Sequence, residues 1–158
     1  MDPKFLYQEM ILDHNKKPRN FGKLDDATHR AEGLNPLCGD HIWVALKVDA
    51  ETIGAIAFEG HSCAICKASA SMMTAAVKGK PIATAEALVE EFRQMVTVGM
   101  HATPSPALAR LTAFAGIKDL PSRVKCAVLP WHTLDAALHQ TANATTEGDA
   151  DPAASGRH

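Results

Sequence analysis

The stretch IWVALKVDAETIGAIAF, residues 42–58, decides the fold of the first half of the chain. In it, apolar side chains recur at every second position, namely Ile42, Val44, Leu46 and Val48. A period of two predicts a strand, and residues 53–58 repeat the signal after a short turn at 49–51. The sequence therefore predicts an antiparallel hairpin, with residues 27–34 as a third strand of a small sheet.

After Gly60 the composition changes to Ala, Ser, Met and Lys, which indicates helices. A first helix is expected from Asp2 to about residue 15. The others are expected at 64–77, from a cap at Thr84 to about 98, from Pro104, and from about Cys126 to near His139. Pro130 indicates that the last helix starts at about Cys126, because proline is tolerated in the first turn of a helix.

Length and composition favour one globular domain over residues 1–140. The chain has 158 residues, a formal net charge of −2, 46% hydrophobic and 22% charged residues. Residues 141–158 have almost no apolar bulk and are expected to form a disordered tail. The charge balance indicates no nucleic-acid or membrane partner, and no signal peptide or membrane span is recognised, so a cytoplasmic protein is expected.

The four cysteines carry the chemistry in this interpretation. In a reducing compartment they are better explained as thiolate ligands or nucleophiles than as two disulfides. Cys38 lies in a turn, Cys63 and Cys66 lie at a strand-to-helix junction, and Cys126 lies at a predicted helix start. The free N–H groups at a helix start stabilise a thiolate, so these positions favour reactive thiols.

One carboxylate completes a metal-ligand set. Asp40 follows Cys38 across a glycine, so Cys38, Asp40, Cys63 and Cys126 are predicted to form a tetrahedral zinc site with three sulfurs and one oxygen. The alternative is that the cysteines are small apolar residues packed under loops. Cys66 shares a helix face with Cys63 and is interpreted as a residue tolerated at a small site, or as a spare resolving thiol.

The remaining candidates receive structural interpretations. His41 and His61 flank the cysteine motifs, and a solvent-facing or hydrogen-bonded imidazole is favoured over a ligand at each. His132 and His139 are expected on the surface of the last helix. Two tryptophans, Trp43 and Trp131, are expected to pack, and four methionines are expected to fill the core or loops: Met72, Met73, Met95 and Met100.

Three spaced motifs resemble the SufU branch of the IscU/NifU-N family of iron–sulfur cluster assembly proteins. They are NPLCGD at 35–40, GHSCAICKASASMM at 60–73 and VKC at 124–126, with further similarity at 6–15 and 18–20. The similarity extends over residues 1 to about 139. It implies an α/β (α+β), IscU-like fold, with a small three-stranded antiparallel sheet followed by and packed against about five helices. It also implies the metal ligands Cys38, Asp40, Cys63 and Cys126.

Two features of the resemblance favour the SufU branch. Lys125 stands where IscU-type scaffolds have a histidine, and the segment from Cys63 to Cys126 is longer than in IscU. The resemblance then implies a zinc-dependent sulfurtransferase that accepts persulfide sulfur from a pyridoxal-phosphate cysteine desulfurase of the SufS type and serves downstream cluster assembly proteins. Cys38 is the predicted sulfur acceptor, because a loop thiolate is released more easily than one anchored at a helix end.

Three other functions compete with sulfur transfer as explanations of these residues. The same thiolates suit a scaffold on which a [2Fe–2S] cluster is assembled and transferred. Cys63 and Cys66 have the spacing of a dithiol oxidoreductase, but that function leaves Cys38, Asp40 and Cys126 unused. A purely structural zinc site would ordinarily use cysteine and histidine without a carboxylate.

Overall fold

The computed structural model describes residues 3–100, 103–139 and 143–145. Its centre is an antiparallel sheet of three consecutive strands, β1 (His29–Asn35), β2 (Asp40–Asp49) and β3 (Thr52–His61). Val44 in the middle strand pairs with Ala31 on one side and Phe58 on the other. The predicted hairpin and third strand are thereby confirmed.

A fourth strand extends this sheet beyond the expected three. β4 (Asn143–Thr145) pairs in parallel with β1, which gives the order β3-β2-β1-β4. These three residues fall in the range expected to be a disordered tail. The rest of that range lies outside the described residues.

Helices form the second layer. The α-helices are α1 (Pro3–Lys16), α2 (Ala64–Val77), α3 (Ile82–Thr97) and α4 (Pro121–Leu138), and two 3₁₀ helices lie between α3 and α4, Pro106–Leu108 and Arg110–Ile117. α4 packs on β1 and β2 and also contacts α2 and α3, while α1 packs on α2 and the second 3₁₀ helix. The α/β class with about five helical segments is confirmed. Among the described helices, none is long and apolar enough to cross a membrane.

Three helical segments differ from the sequence predictions, namely α3, the segment after Pro104, and α4. α3 begins after Pro81 and contains Thr84, so the predicted Thr84 cap is wrong. Its start is set by proline, whose fixed φ suits a helix entry. The segment after Pro104 forms 3₁₀ turns instead of an α-helix. The predicted cap at Asp2 lies outside the described residues.

The largest difference concerns the last helix. α4 begins at Pro121 and not near Cys126, and it contains Pro130 in its interior. The loss of one helical hydrogen bond is outweighed by burial, because nearly every residue from Cys126 to Leu138 is buried. Trp131 is fully buried and stacks on Phe92 with ring centroids 4.7 Å apart.

Candidate metal centre

Three separate parts of the chain meet at one end of the sheet. The turn between β1 and β2 carries Cys38, and β2 opens with Asp40. β3 ends at His61, Ser62 follows it, and Cys63 is the N-cap of α2. α4 contributes Cys126 from its second turn. The sheet and two helices thus place Cys38, Asp40 and Cys126 in one group, with Cys63 beside Asp40.

The closest approach is between two thiols far apart in sequence. Cys126 Sγ lies 3.2 Å from Cys38 Sγ. Within the part of the chain that is described, Cys38, Asp40 and Cys126 form a group whose potential ligand atoms all lie within 4.8 Å of one another. Cys63 Sγ stands at the edge of this group, 3.9 Å from Asp40 Oδ2.

Asp40 is the buried carboxylate that connects these elements. It is 1% exposed, and its Oδ1 accepts the main-chain N–H of Cys63 at 2.7 Å. Its Oδ2 accepts a hydrogen bond from Asn35 Nδ2 at 3.1 Å. A buried carboxylate needs such donors, since burial without them is costly. Asp40 is therefore held in a fixed orientation by groups from β1 and α2.

Asn35 is a site residue that the sequence analysis missed. Its side chain is fully buried, and Nδ2 donates to Asp40 Oδ2 and also lies 3.5 Å from Cys126 Sγ. The sequence reasoning treated it only as the first residue of a turn. The available signal was its place at the head of the NPLCGD motif, which also contains the predicted ligands Cys38 and Asp40.

Cys63 has the thiol best prepared to ionise. As the N-cap of α2 it accepts the main-chain N–H of Cys66 at 3.4 Å. A hydrogen bond from the Cys126 thiol, helped by this helix N–H, lowers the pKa of Cys63 from 9.0 to about 7. The expectation that a helix start favours a thiolate is therefore met at this position.

Cys126 differs from the prediction. It lies inside α4 and not at its start, so it receives no hydrogen bonds from free N–H groups of a helix end. Its hydrogen bond to Cys63, together with burial, raises the pKa of Cys126 above its usual range.

Cys38 is the thiol that another molecule can reach. It is the exposed cysteine of the four, whereas Cys126 is 3% exposed and Cys63 is half-buried. The turn is closed by a 3.2 Å hydrogen bond from Cys38 N to Asn35 O, and Gly39 follows with a φ of 73°. Leu37, which is 63% exposed, stands beside Cys38 at the tip of the turn.

Cys66 is not part of the group of potential ligand atoms. It is fully buried in the hydrophobic core, and burial raises the pKa of its thiol well above the usual value. This environment agrees with the interpretation of a residue tolerated at a small site. It does not suit a resolving thiol, which must ionise and be reached.

The flanking aromatic residues and histidines are outside the metal group. His41 is hydrogen-bonded to the Glu32 carboxylate and stacks on Trp43, and His61 is exposed. Trp43 is 41% exposed, so its packing is against a surface ring and not in the core. His139 is exposed as expected. Met100 is half-exposed, while the other three methionines named above are in the core.

Tyr7 is a second residue that the sequence reasoning passed over. Its hydroxyl is buried without a hydrogen-bond partner among the described residues, and its ring packs edge-on against Phe114 at 5.5 Å. Burial raises the pKa of Tyr7, and the nearby thiols of Cys63 and Cys126 add to this effect. Tyr7 therefore packs against the hydrophobic core close enough to Cys63 and Cys126 to feel their charge.

Comparison with known proteins gives consistent matches over most of the chain. The NifU-like N-terminal domain family matches residues 6–127. The zinc-dependent sulfurtransferase SufU of Bacillus subtilis (strain 168) is 42% identical over 130 residues, which cover 82% of this chain and 87% of that protein. The iron–sulfur cluster assembly scaffold protein IscU of Streptococcus pyogenes serotype M1 is 40% identical over 139 residues, covering 88% and 86%.

Solved structures of similar fold point the same way. A putative iron–sulfur cluster assembly scaffold protein for the SUF system from Fervidobacterium islandicum AW-1 matches with a TM-score of 0.77 and 34% identity, covering 85% of this chain and 97% of that one. The N-terminal part of a NifU-like protein from Brucella abortus has a TM-score of 0.78 at 23% identity, over 85% and 93% of the two chains, and shares the fold. The chain therefore belongs to the NifU-like N-terminal domain family.

Proposed function

We propose that this protein is a zinc-dependent sulfur carrier for iron–sulfur cluster assembly, which accepts persulfide sulfur from a pyridoxal-phosphate cysteine desulfurase. One observation carries the proposal. Two thiols and one carboxylate, those of Cys38, Cys126 and Asp40, lie within 4.8 Å of one another with the Cys63 thiol at their edge, but only Cys38 among these four residues is exposed. A structural site would be closed on all sides, whereas a carrier needs one thiol that a partner protein can approach.

The four donors fit zinc. Thiolate sulfur and carboxylate oxygen are both ordinary zinc ligands, and a tetrahedral site with bonds of about 2.3 Å separates two sulfurs by about 3.8 Å. The sulfurs of Cys38 and Cys126 are 3.2 Å apart, so this pair would separate by about 0.6 Å, and the Cys63 thiol would move in from the edge of the group. We assign Cys38, Asp40, Cys63 and Cys126 as the ligands. When bound, zinc keeps the thiols deprotonated at neutral pH and has no redox chemistry of its own.

The chemical step assigned to Cys38 is a thiol exchange. Its thiolate attacks the outer sulfur of the desulfurase persulfide, a new S–S bond forms at Cys38, and the old S–S bond breaks. The desulfurase cysteine leaves as a thiolate, and the outer sulfur keeps its proton. The step needs no external oxidant or reductant, because one persulfide is exchanged for another.

The surroundings of Cys38 support this role. Its sulfur is at the tip of a turn beside the exposed Leu37, so a partner chain can approach without opening the core. The buried Asn35 and Asp40 hold the base of the turn in place. The zinc-dependent sulfurtransferase among the relatives supports the same function, and downstream cluster assembly proteins are the proposed recipients of the sulfur.

A cluster scaffold is the second candidate function. The relative from Streptococcus pyogenes, similar over 88% of this chain, is named a scaffold protein, and [2Fe–2S] clusters use the same kinds of ligand. In this case the cluster is cargo, which is built on the thiols and then passed on. Metal and sulfide analysis of protein purified without oxygen separates the two: about one zinc per chain supports the carrier, and two irons with two sulfides support the scaffold.

The direct test of the carrier function is a persulfide-transfer assay. The zinc-loaded protein is incubated with a cysteine desulfurase and cysteine, and peptides are analysed by mass spectrometry. We expect one added sulfur on the peptide that contains Cys38, and none on this peptide in Cys38→Ser. Cys66→Ser is the matched control, and it should retain the transfer. Added sulfur on Cys66 in place of Cys38, or no transfer at all, would contradict the proposal.

A further inference from the structure

A second candidate site lies at the opposite end of α2 from the thiols. It is an open cavity of about 270 Å³, formed between the end of α1, the second half of α2 and the 3₁₀ helices. Four basic side chains line it, namely His14, Arg19, Lys80 and Arg110, together with apolar residues such as Met72 and Leu111. No acidic side chain of the described chain lines the cavity.

Two of these charges have no counter-ion among the described residues. Arg19 pairs with Asp13 at 2.9 Å, but Lys80 and Arg110 form no ion pair with any of the residues that the structure describes. Positive charges that line one cavity repel each other. An anion in the cavity would relieve this repulsion.

His14 adds a directed hydrogen-bond donor. It is 6% exposed, and its Nδ1 lies 2.7 Å from Ser71 Oγ, which also accepts the main-chain N–H of Arg19 at 2.8 Å. For the Ser71 hydroxyl proton, His14 Nδ1 is the one acceptor found within the described residues. The ring proton of a neutral His14 is then on Nε2.

His14 lines the cavity, and its Nε2 is the ring nitrogen that Ser71 leaves free. The Tyr7 hydroxyl is the sole side-chain polar atom in the described parts that is shut away from solvent without a partner. Nε2 has no hydrogen-bond partner there either, so it keeps access to solvent, and His14 lines this cavity. Burial and the charges of Arg19 and Arg110 lower the pKa of His14, so the ring is a neutral donor at pH 7.

We propose that this cavity binds a small phosphate-type oxyanion, held by His14 Nε2–H and by the charges of Arg19, Lys80 and Arg110. Guanidinium and ammonium groups are the usual phosphate ligands in proteins. The volume lies at the small end of ligand pockets, which suits free phosphate or the phosphate of a small ester. The site is separate from the thiols, since Met72, its lining residue of α2 nearest to Cys63 in sequence, follows Cys63 by nine residues, about 14 Å along the helix.

The test is a phosphate titration of the zinc-loaded full chain, followed by two-dimensional amide NMR. We expect saturable shifts confined to residues 14–20, 71–80 and 107–111, with no such shifts in chloride at matched ionic strength. A second titration with glycerol 3-phosphate distinguishes a free anion from a small ester by which of the two binds more tightly.

Matched double variants decide whether the lining charges are responsible. Lys80→Gln with Arg110→Gln removes two lining charges at accessible positions, and the affinity for phosphate should fall by about tenfold or more. Lys23→Gln with Lys78→Gln removes two exposed charges that do not line the cavity, and it should retain the binding. Equal losses in both variants, or no saturable shifts in the parent, would overturn the proposal.

Discussion

The main-chain N–H of Cys63 donates to Asp40 Oδ1 at 2.7 Å, which joins the residue before α2 to the first residue of β2. Both residues are proposed ligands, so their relative position is set before any metal binds. Asn35 supports the same carboxylate from β1. The centre is therefore preorganised by main-chain and amide donors, and not only by the metal.

Removing this carboxylate should destabilise the protein even without metal. In Asp40→Ala the N–H of Cys63 and the amide of Asn35 lose their acceptor, and an unsatisfied buried donor costs about 1–3 kcal/mol. Urea unfolding of chelator-treated protein measures the free energy of unfolding. Asp119→Ala, at a position with an 84% exposed side chain, is the control and should change it little. Equal stabilities of the two variants would contradict this role of Asp40.

The same variant distinguishes a carrier from a scaffold. If the protein carries sulfur, Asp40→Ala should accept less sulfur from the desulfurase and should form no long-lived coloured cluster when iron and sulfide are supplied without oxygen. The visible absorption spectrum and desulfurase turnover are the measurements. A stable, stoichiometric [2Fe–2S] spectrum with unaltered turnover would instead support the scaffold function.

Cys63 and Cys66 are a matched pair, one helical turn apart, with opposite expected effects. Cys63→Ala should lose most of the bound zinc, because it removes a proposed ligand. Cys66→Ala should keep the full zinc content and lose about 1–2 kcal/mol of stability, because its side chain is fully buried in the core. Zinc analysis after desalting and thermal unfolding measure the two effects. Full zinc in Cys63→Ala would remove it from the ligand set.

Gly60 allows β2 and β3 to pair closely just before the site. A Cβ at this position would lie 2.2 Å from His41 O, and the φ of Gly60 is 130°. Gly60→Ala should therefore lose about 3 kcal/mol or more. Gly79→Ala is the control: φ is 81° but nothing lies within 4 Å, so we expect about 1–2 kcal/mol from backbone strain alone. Similar losses in chemical denaturation would contradict the steric argument.

The features of the site that are local in sequence could be predicted, and those that depend on distant contacts could not. The hairpin follows from strict alternation, and the position of Cys63 before a helix follows from a change of composition. Asn35, by contrast, contacts Cys126 across 91 residues, and no short pattern reports such a contact. The ligand set of Cys38, Asp40, Cys63 and Cys126 was predicted from the local patterns, and the resemblance of spaced motifs implied the same four residues.

Helix α4 illustrates why one local rule failed. Pro130 predicted a helix start near Cys126, because proline cannot donate the N–H that the carbonyl four residues earlier would accept. The helix instead starts at Pro121 and continues through Pro130, since the residues that follow fill the core. Tertiary burial outweighed local propensity, and Cys126 consequently lies within the helix. The main-chain carbonyl of Cys126 is the group that loses its helical partner.

The buried His14 should make stability depend on pH. Burial lowers its pKa, so as pH falls the unfolded chain takes up the imidazole proton before the folded chain does. The stability that depends on neutral His14 is therefore fully present above the unfolded value of about 6.5 and is lost as pH falls through the lower folded value. His14→Asn keeps an acceptor for the Ser71 hydroxyl but has no titrating group. In urea unfolding of the metal-free proteins, the advantage of the parent over His14→Asn should shrink between pH 7.5 and about pH 5. A constant difference across this range would show that the ring contributes packing alone.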